Sequence, residues 1–138
     1  MAATLGGMKT LLRPEGLVQS PAFTHVAIVP PGMTTVYVGG QNSVTADGTL
    51  VGEGDIAAQT RKTMENVRTA LAAAGATVHD LVVVNVLMVD GEDIAAAYPV
   101  AAEGLEGAAP LVAAAFVARL GVPGALVEVS AVAAVPAS

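Results

Sequence analysis

The sequence predicts an α+β fold: a mixed β-sheet with two main helices packed on one face. Three observations predict it. Extended and helical patterns alternate in the order strand, strand, helix, strand, helix, strand, strand. Two helices are too few to cover both faces of a sheet. The length, 138 residues, suits one domain spanning 1–138 with a real core and leaves no room for a second independent one.

Phe23 to Val29 has strand character and ends at the turn signal Pro30-Pro31-Gly32. Thr35 to Val38 is extended again, and Thr45-Ala46-Asp47-Gly48 predicts a tight reversal, because Asp-Gly favours one. From Asp55 to Ala74 the period changes to helical. Ile56, Thr60, Thr63, Val67, Leu71 and Ala74 recur at spacings of three and four, with Arg61, Glu65 and Arg68 on a more polar side. Asp55 caps the first free amides, and Gly75 ends the helix in a left-handed conformation. Leu81 to Val89 (LVVVNVLMV) is too short to cross a membrane as a helix and rich enough in valine to be a central strand. Asp90 to Asp93 turns the chain into a second helix from Ile94 to about Leu105, with Pro99 an irregularity at its middle. PLVAAAFVARL at 110–120 carries a single charge and has the residue types of a buried strand. Gly121-Val122-Pro123-Gly124 leads to the last strand, Ala125 to Val135.

Composition narrows the functions. The apolar fraction of 54% rests on alanine and valine rather than aromatics, and only 13% of residues are charged. So little charge on a small chain predicts an apolar face hidden in a homo-oligomer. No apolar run is long enough to span a membrane without interruption, and the first residues lack a signal-peptide pattern, so the expected location is the cytoplasm. A net charge of -6 disfavours polyanions, which makes nucleic acid a poor partner. With no cysteine there is no thiolate nucleophile and no cysteine metal site.

Little chemistry is visible residue by residue. YVGGQ at 37–41 and GEGD at 52–55 lack the spacing of a phosphate loop or dinucleotide fingerprint, so no cofactor is expected. His25 and His79 are far apart and form no metal motif, so no metal is expected either. His25, on a predicted strand, is either a pocket residue or a packed, hydrogen-bonded one; His79, beside Asp80, reads as a surface or capping residue. Glu128 lies within ALVEVSAVA. Strand alternation puts Leu126, Glu128 and Ser130 on one face and Val127 and Val129 on the other. A carboxylate so placed is either an edge or interface charge or a pocket acid.

The segments YVGGQ at 37–41, GDIAAQTRKTMENVRTALAAAGA at 54–76, LVVVNVLMVD at 81–90, VARL at 117–120 and ALVEVSAVA at 125–133 together resemble the Rid family of imine and enamine deaminases, also labelled YjgF and endoribonuclease L-PSP. Residues 1–19 match weakly. The resemblance implies a chorismate-mutase-like homotrimer with pockets between subunits. It also implies hydrolysis of 2-imino or enamino acids to 2-keto acids and ammonia.

The family's diagnostic strand resembles PARSxVxVARL, whose first arginine grips the substrate carboxylate with a two-pronged hydrogen bond. In PLVAAAFVARL that position is Val112. Arg119 matches a second, structural arginine and, seven residues on, faces the opposite side of an unbroken strand. Glu128 matches the carboxylate that holds the attacking water, Gly39 stands where many members have Ser, and Phe23 replaces a Tyr. The expected site is therefore Glu128 as the catalytic candidate, with Phe23, Gly39, Val112 and His25 binding the substrate.

Losing the guanidinium removes about 2 to 5 kcal/mol of carboxylate binding, so a neutral or cationic imine- or amide-like metabolite fits better than a free 2-imino acid. Two alternatives stand beside this reading. One is a noncatalytic metabolite binder or scaffold; the other is a 2-iminobutanoate or 2-iminopropanoate deaminase with a substitute for the missing arginine. The acidic balance opposes a ribonuclease.

Overall fold

The two segments richest in valine, Leu81–Val89 and Val127–Val135, lie side by side in the middle of the sheet, where both of their edges find backbone partners. The computed structural model describes residues 7–137. In chain order the elements are β1 (Thr10–Leu12), β2 (Val26–Ile28), β3 (Thr34–Gln41), α1 (Ile56–Ala73), β4 (Leu81–Val89), α2 (Ile94–Gly104), β5 (Leu111–Val117) and β6 (Val127–Val135). A four-stranded sheet runs β3-β6-β4-β5, and β1 pairs with β2 in a small antiparallel sheet. Strand β6 is antiparallel to both β3 and β4, whereas β4 and β5 are parallel and joined through α2. Mixed sheet and helix count both agree with the α+β expectation.

Helix α1 forms as its sequence dictates. The Asp55 carboxylate accepts the Ala58 amide at 3.1 Å. At the other end Gly75 takes φ 71°, its amide reaching the Leu71 turn through Ala72 O at 3.0 Å while the Ala76 amide reaches Leu71 O at 2.9 Å. The apolar stripe between these caps puts Met64, Val67 and Leu71 against Val38, Val84, Met88, Val127 and Val129 of the sheet, and this is the core. Helix α2 continues through Pro99, a position in its second turn. No described helix is long and apolar enough to cross a membrane.

Three expectations are corrected. PLVAAAFVARL is not a buried strand: β5 is the edge of the sheet, with Val112 43% and Phe116 49% exposed in the single chain. Valine and phenylalanine report strand propensity, but the number of neighbours a strand has is a property of topology. Of Phe23–Val29 only Val26–Ile28 is a strand; its partner is β1, whose three residues carry too short a pattern to be read locally. Strand β3 extends beyond Val38 to Gln41, and its register with β6 shifts between Val38 and Gln41, which places a bulge at Gly39-Gly40. The predicted Asp-Gly reversal is present: the Asp47 carboxylate accepts from the Thr45 hydroxyl and from the Thr49 amide, and these bonds hold it below the usual aspartate range.

A polar clamp ties the irregular segments to α1. Gln59, fully buried, donates to Gly52 O at 3.2 Å and Gly124 O at 3.1 Å and accepts from the Leu126 amide at 2.8 Å. Asn66 donates to Asn42 O and Val44 O, both at 2.9 Å, and Asn42 donates to Val127 O at 3.1 Å. These bonds fix the start of β6 and the chain leaving β3. Gln59→Leu keeps the volume but strands three backbone groups, so it should cost about 2 to 4 kcal/mol in urea unfolding at fixed protein concentration. A loss below about 0.5 kcal/mol would show that the clamp is not needed.

Candidate functional site

Phe23 reaches the sheet because the segment before β2 is pinned at both ends. The Arg13 Nε donates to Ser20 O at 2.7 Å and Phe23 O at 3.0 Å, and a terminal nitrogen donates to Pro21 O at 3.3 Å. On the far side the Thr24 amide donates to Pro110 O at 3.3 Å and its hydroxyl to Ala109 O at 2.9 Å. Thr24 thereby bridges to Leu111 at the start of β5. Phe23 and Val112 consequently line one cavity.

That cavity, about 420 Å³, lies between α2 and the helix-facing side of β4, β5 and β6. Val84, Val86 and Met88 of β4 line it, as do Val112 and Ala114 of β5, because paired positions on neighbouring strands share a face. Val127 and Val129 of β6 reach it for the same reason. Tyr98, 57% exposed, stands at its mouth. Among the described residues, none lining the cavity carries a charge. Arg119 lies beyond the end of β5 and does not line it, and Arg13 is committed to three carbonyls.

Glu128 is on the other face. It pairs with Leu87, as Ser130 does with Asn85, while Val127 and Val129 point to the helices. This is the alternation expected from the sequence. The half-buried carboxylate lies over the β3 bulge, where a Cβ on Gly40 would come within 2.8 Å of both Glu128 Cδ and Oε2. Among the described residues it has no hydrogen-bonding or ionic partner. Gly39 is exposed, and a side chain there would meet nothing within 4 Å, so the position is open space beside the acid.

The candidate residues therefore fall into two groups on opposite faces of the sheet. Phe23 and Val112 lie at the cavity mouth, and Gly39 and Glu128 lie on the open face with the thickness of the sheet between them. His25 is outside the cavity: its Nε2 donates to Val18 O at 2.6 Å, and its ring meets Phe23 edge to face at 5.5 Å. It acts as a buttress behind Phe23. His79 is exposed in a short 3₁₀ turn capped by Thr77, and its carbonyl accepts from Lys9 Nζ at 2.6 Å. No cluster of three or more metal-ligating side chains occurs among the described residues.

Sequence reasoning expected a pocket at Phe23 and Val112 but missed Tyr98, Gly40 and the part of the cavity that lies between α2 and the sheet. The signal for the cavity was present in α2, where IAAAYPVAAEG carries five alanines, and Ala97, Ala101 and Ala102 with Tyr98 face a valine-rich sheet. Local periodicity counts apolar positions, and it does not weigh their volumes against the space to be filled.

The fold and sequence have relatives. A sequence model of the endoribonuclease L-PSP family matches residues 19–135. YyfB of Yersinia pestis, a Rid-family protein of unknown function, is 31% identical, with 91% of this chain and 97% of that one covered and a TM-score of 0.77. Rv2704 of Mycobacterium tuberculosis, a member of the YjgF/YER057c/UK114 family, is 28% identical over 93% of this chain and 100% of its own, with a TM-score of 0.62. RidA of the Antarctic bacterium Psychrobacter is 26% identical over 84% and 96%, with a TM-score of 0.65. With a match that takes in every strand of the four-stranded sheet and both helices, the chain belongs to the endoribonuclease L-PSP family, the group also called Rid or YjgF.

Proposed function

We propose that this protein binds a neutral or cationic imine- or amide-like metabolite in a pocket completed between the subunits of a homotrimer, with Glu128 as its polar anchor. The observation that carries this reading is the uncharged wall at Val112. An anionic substrate entering there would lose water and gain no charged partner. Assembly is supported by the split of the site: Val112 with Phe23 and Gly39 with Glu128 form one pocket only when the edge of one subunit faces the open sheet of another. The exposed edge strand β5 supports the same arrangement.

Glu128, with no partner among the described residues, suits a ligand that brings a hydrogen-bond donor or a positive charge. With a water between the carboxylate and a C=N bond, the acid takes a proton from the water as its oxygen bonds to carbon. It returns that proton to the nitrogen to give a carbinolamine; the carboxylate then moves the hydroxyl proton to the nitrogen as the C=O bond forms and the C–N bond breaks, releasing a carbonyl compound and an amine. A binder without turnover uses the same contacts and omits the bond breaking. The charge balance, six basic against twelve acidic residues, disfavours a phosphate backbone as ligand and so opposes an endoribonuclease reading.

Four outcomes are expected. Sedimentation equilibrium in dilute neutral buffer should give three times the 13.6 kDa chain mass; a stable monomer would remove the intersubunit pocket. Hydrolysis of 2-iminopropanoate generated in place should not exceed the spontaneous rate, and a large Glu128-dependent acceleration would reveal a substitute guanidinium. In a thermal-shift screen of small amines, amides and cyclic imines, Glu128→Gln should weaken a hit about 10- to 100-fold and preserve the trimer, because it removes the charge at nearly constant volume. Gly40→Ala should weaken the same hit, since its methyl displaces the end of the Glu128 side chain. Equal binding by wild type and both variants would take the acid out of the site.

A further inference from the structure

The cavity behind Val112 is deeper than a small head group needs. Its floor is Met64, Val84, Met88, Ala97, Val127 and Val129, all at most 5% exposed, whereas Val112 and Tyr98 at its mouth are 43% and 57% exposed. The space exists because α2 and β5 turn alanines toward it, among them Ala97, Ala101 and Ala114.

Helix α2 cannot simply settle onto the sheet to close the gap. At its C-terminal end it is docked on α1, where a Cβ on Gly104 would come within 2.8 Å of Met64 Cβ and where Arg68 donates to Gly104 O at 3.3 Å. At its N-terminal end Asp93 caps it at 2.9 Å, and the preceding turn is tied to β5 by the Asp90 amide on Val117 O at 2.8 Å. Water is a poor filler as well. An ordered water needs two to four polar partners, and the Thr60 hydroxyl, the polar side chain in the lining besides Tyr98, already donates to Ile56 O at 2.7 Å.

We propose that this cavity is a hydrocarbon-selective subsite, taking an aromatic ring or a branched or linear chain of roughly six to ten carbons, since its volume of about 420 Å³ exceeds the ~150 Å³ that holds one benzene ring. The tail enters between Val112 and Tyr98 and leaves its neutral or cationic head at the mouth. The subsite rests on the reading of that mouth as the ligand site, and it assigns the size and chemistry of the ligand. Ala97 and Ala101 are then the residues that set chain length.

The test is calorimetric titration of the wild-type protein with neutral primary amides from propanamide to octanamide. The dissociation constant should fall about fourfold with each added methylene. Ala101→Leu and, separately, Ala97→Leu put a side chain into the space and should flatten the series beyond the shortest amides; circular dichroism and sedimentation confirm that each variant is folded and assembled. Glu128→Gln should shift the whole series by one factor and leave its slope unchanged. A flat wild-type series, no binding at any length, or an equally steep series in both leucine variants would overturn the subsite, and the first of these is also the result if a neighbouring subunit's side chain fills the cavity. A steep series indifferent to Glu128→Gln would overturn the role of the acid alone and leave the subsite standing.

Discussion

The pleat of β6 constrains everything else. With β3 on one side and β4 on the other, this strand can neither slip nor rotate, so its neighbouring residues must face opposite ways. Val127 and Val129 complete the core and the cavity, and Glu128 and Ser130 look out from the open face. A shift of one residue would bury the acid among valines and expose the core. The Gln59 clamp on Gly124 and Leu126 holds the strand at its entry, where such a shift would begin.

The same constraint divides the chemistry between two surfaces. The helices cover one face of the sheet, and the other is left with Glu128, Asn85, Leu87 and Tyr37. At the edge, β5 has a single neighbour and a row of small side chains that allow close approach of another backbone. The N-terminal segment closes the lower end of that edge through Thr24 and is itself stiffened by Arg13. Arg13 therefore does structural work on carbonyls, and the aromatic wall at Phe23 depends on it.

Alanine connects the composition to the cavity. A 54% apolar chain would ordinarily fill its interior, but here much of that fraction is residues that gain helix or strand structure without supplying volume. Helix α2 is stable on α1 through the close contact at Gly104, and stands off from β4 and β5 where its alanines do not reach. An apolar void in so small a fold forfeits dispersion contacts along its whole lining. The cost is offset when hydrocarbon enters, so stability and ligand preference share one physical origin.

Some of this was determined by the sequence alone. Helix α1 with its Asp55 cap and Gly75 stop, the valine-rich strands β4 and β6, and the opposite facing of Glu128 and Val129 all follow from spacing and local backbone chemistry. The family resemblance singled out Val112 as the position where an arginine is expected, and Val112 lines a cavity with no charged side chain among the described residues. Tertiary structure decided the rest. It set the strand order, the pairing of β1 with β2, the bulge at Gly39-Gly40 and the exposure of β5. It also decided that His25 supports Phe23 from behind instead of facing the cavity. Periodicity specifies which side of an element is apolar. Which distant element meets that side, and whether their combined side chains fill the gap, depends on pairings and volumes summed across the chain, and no local window contains them.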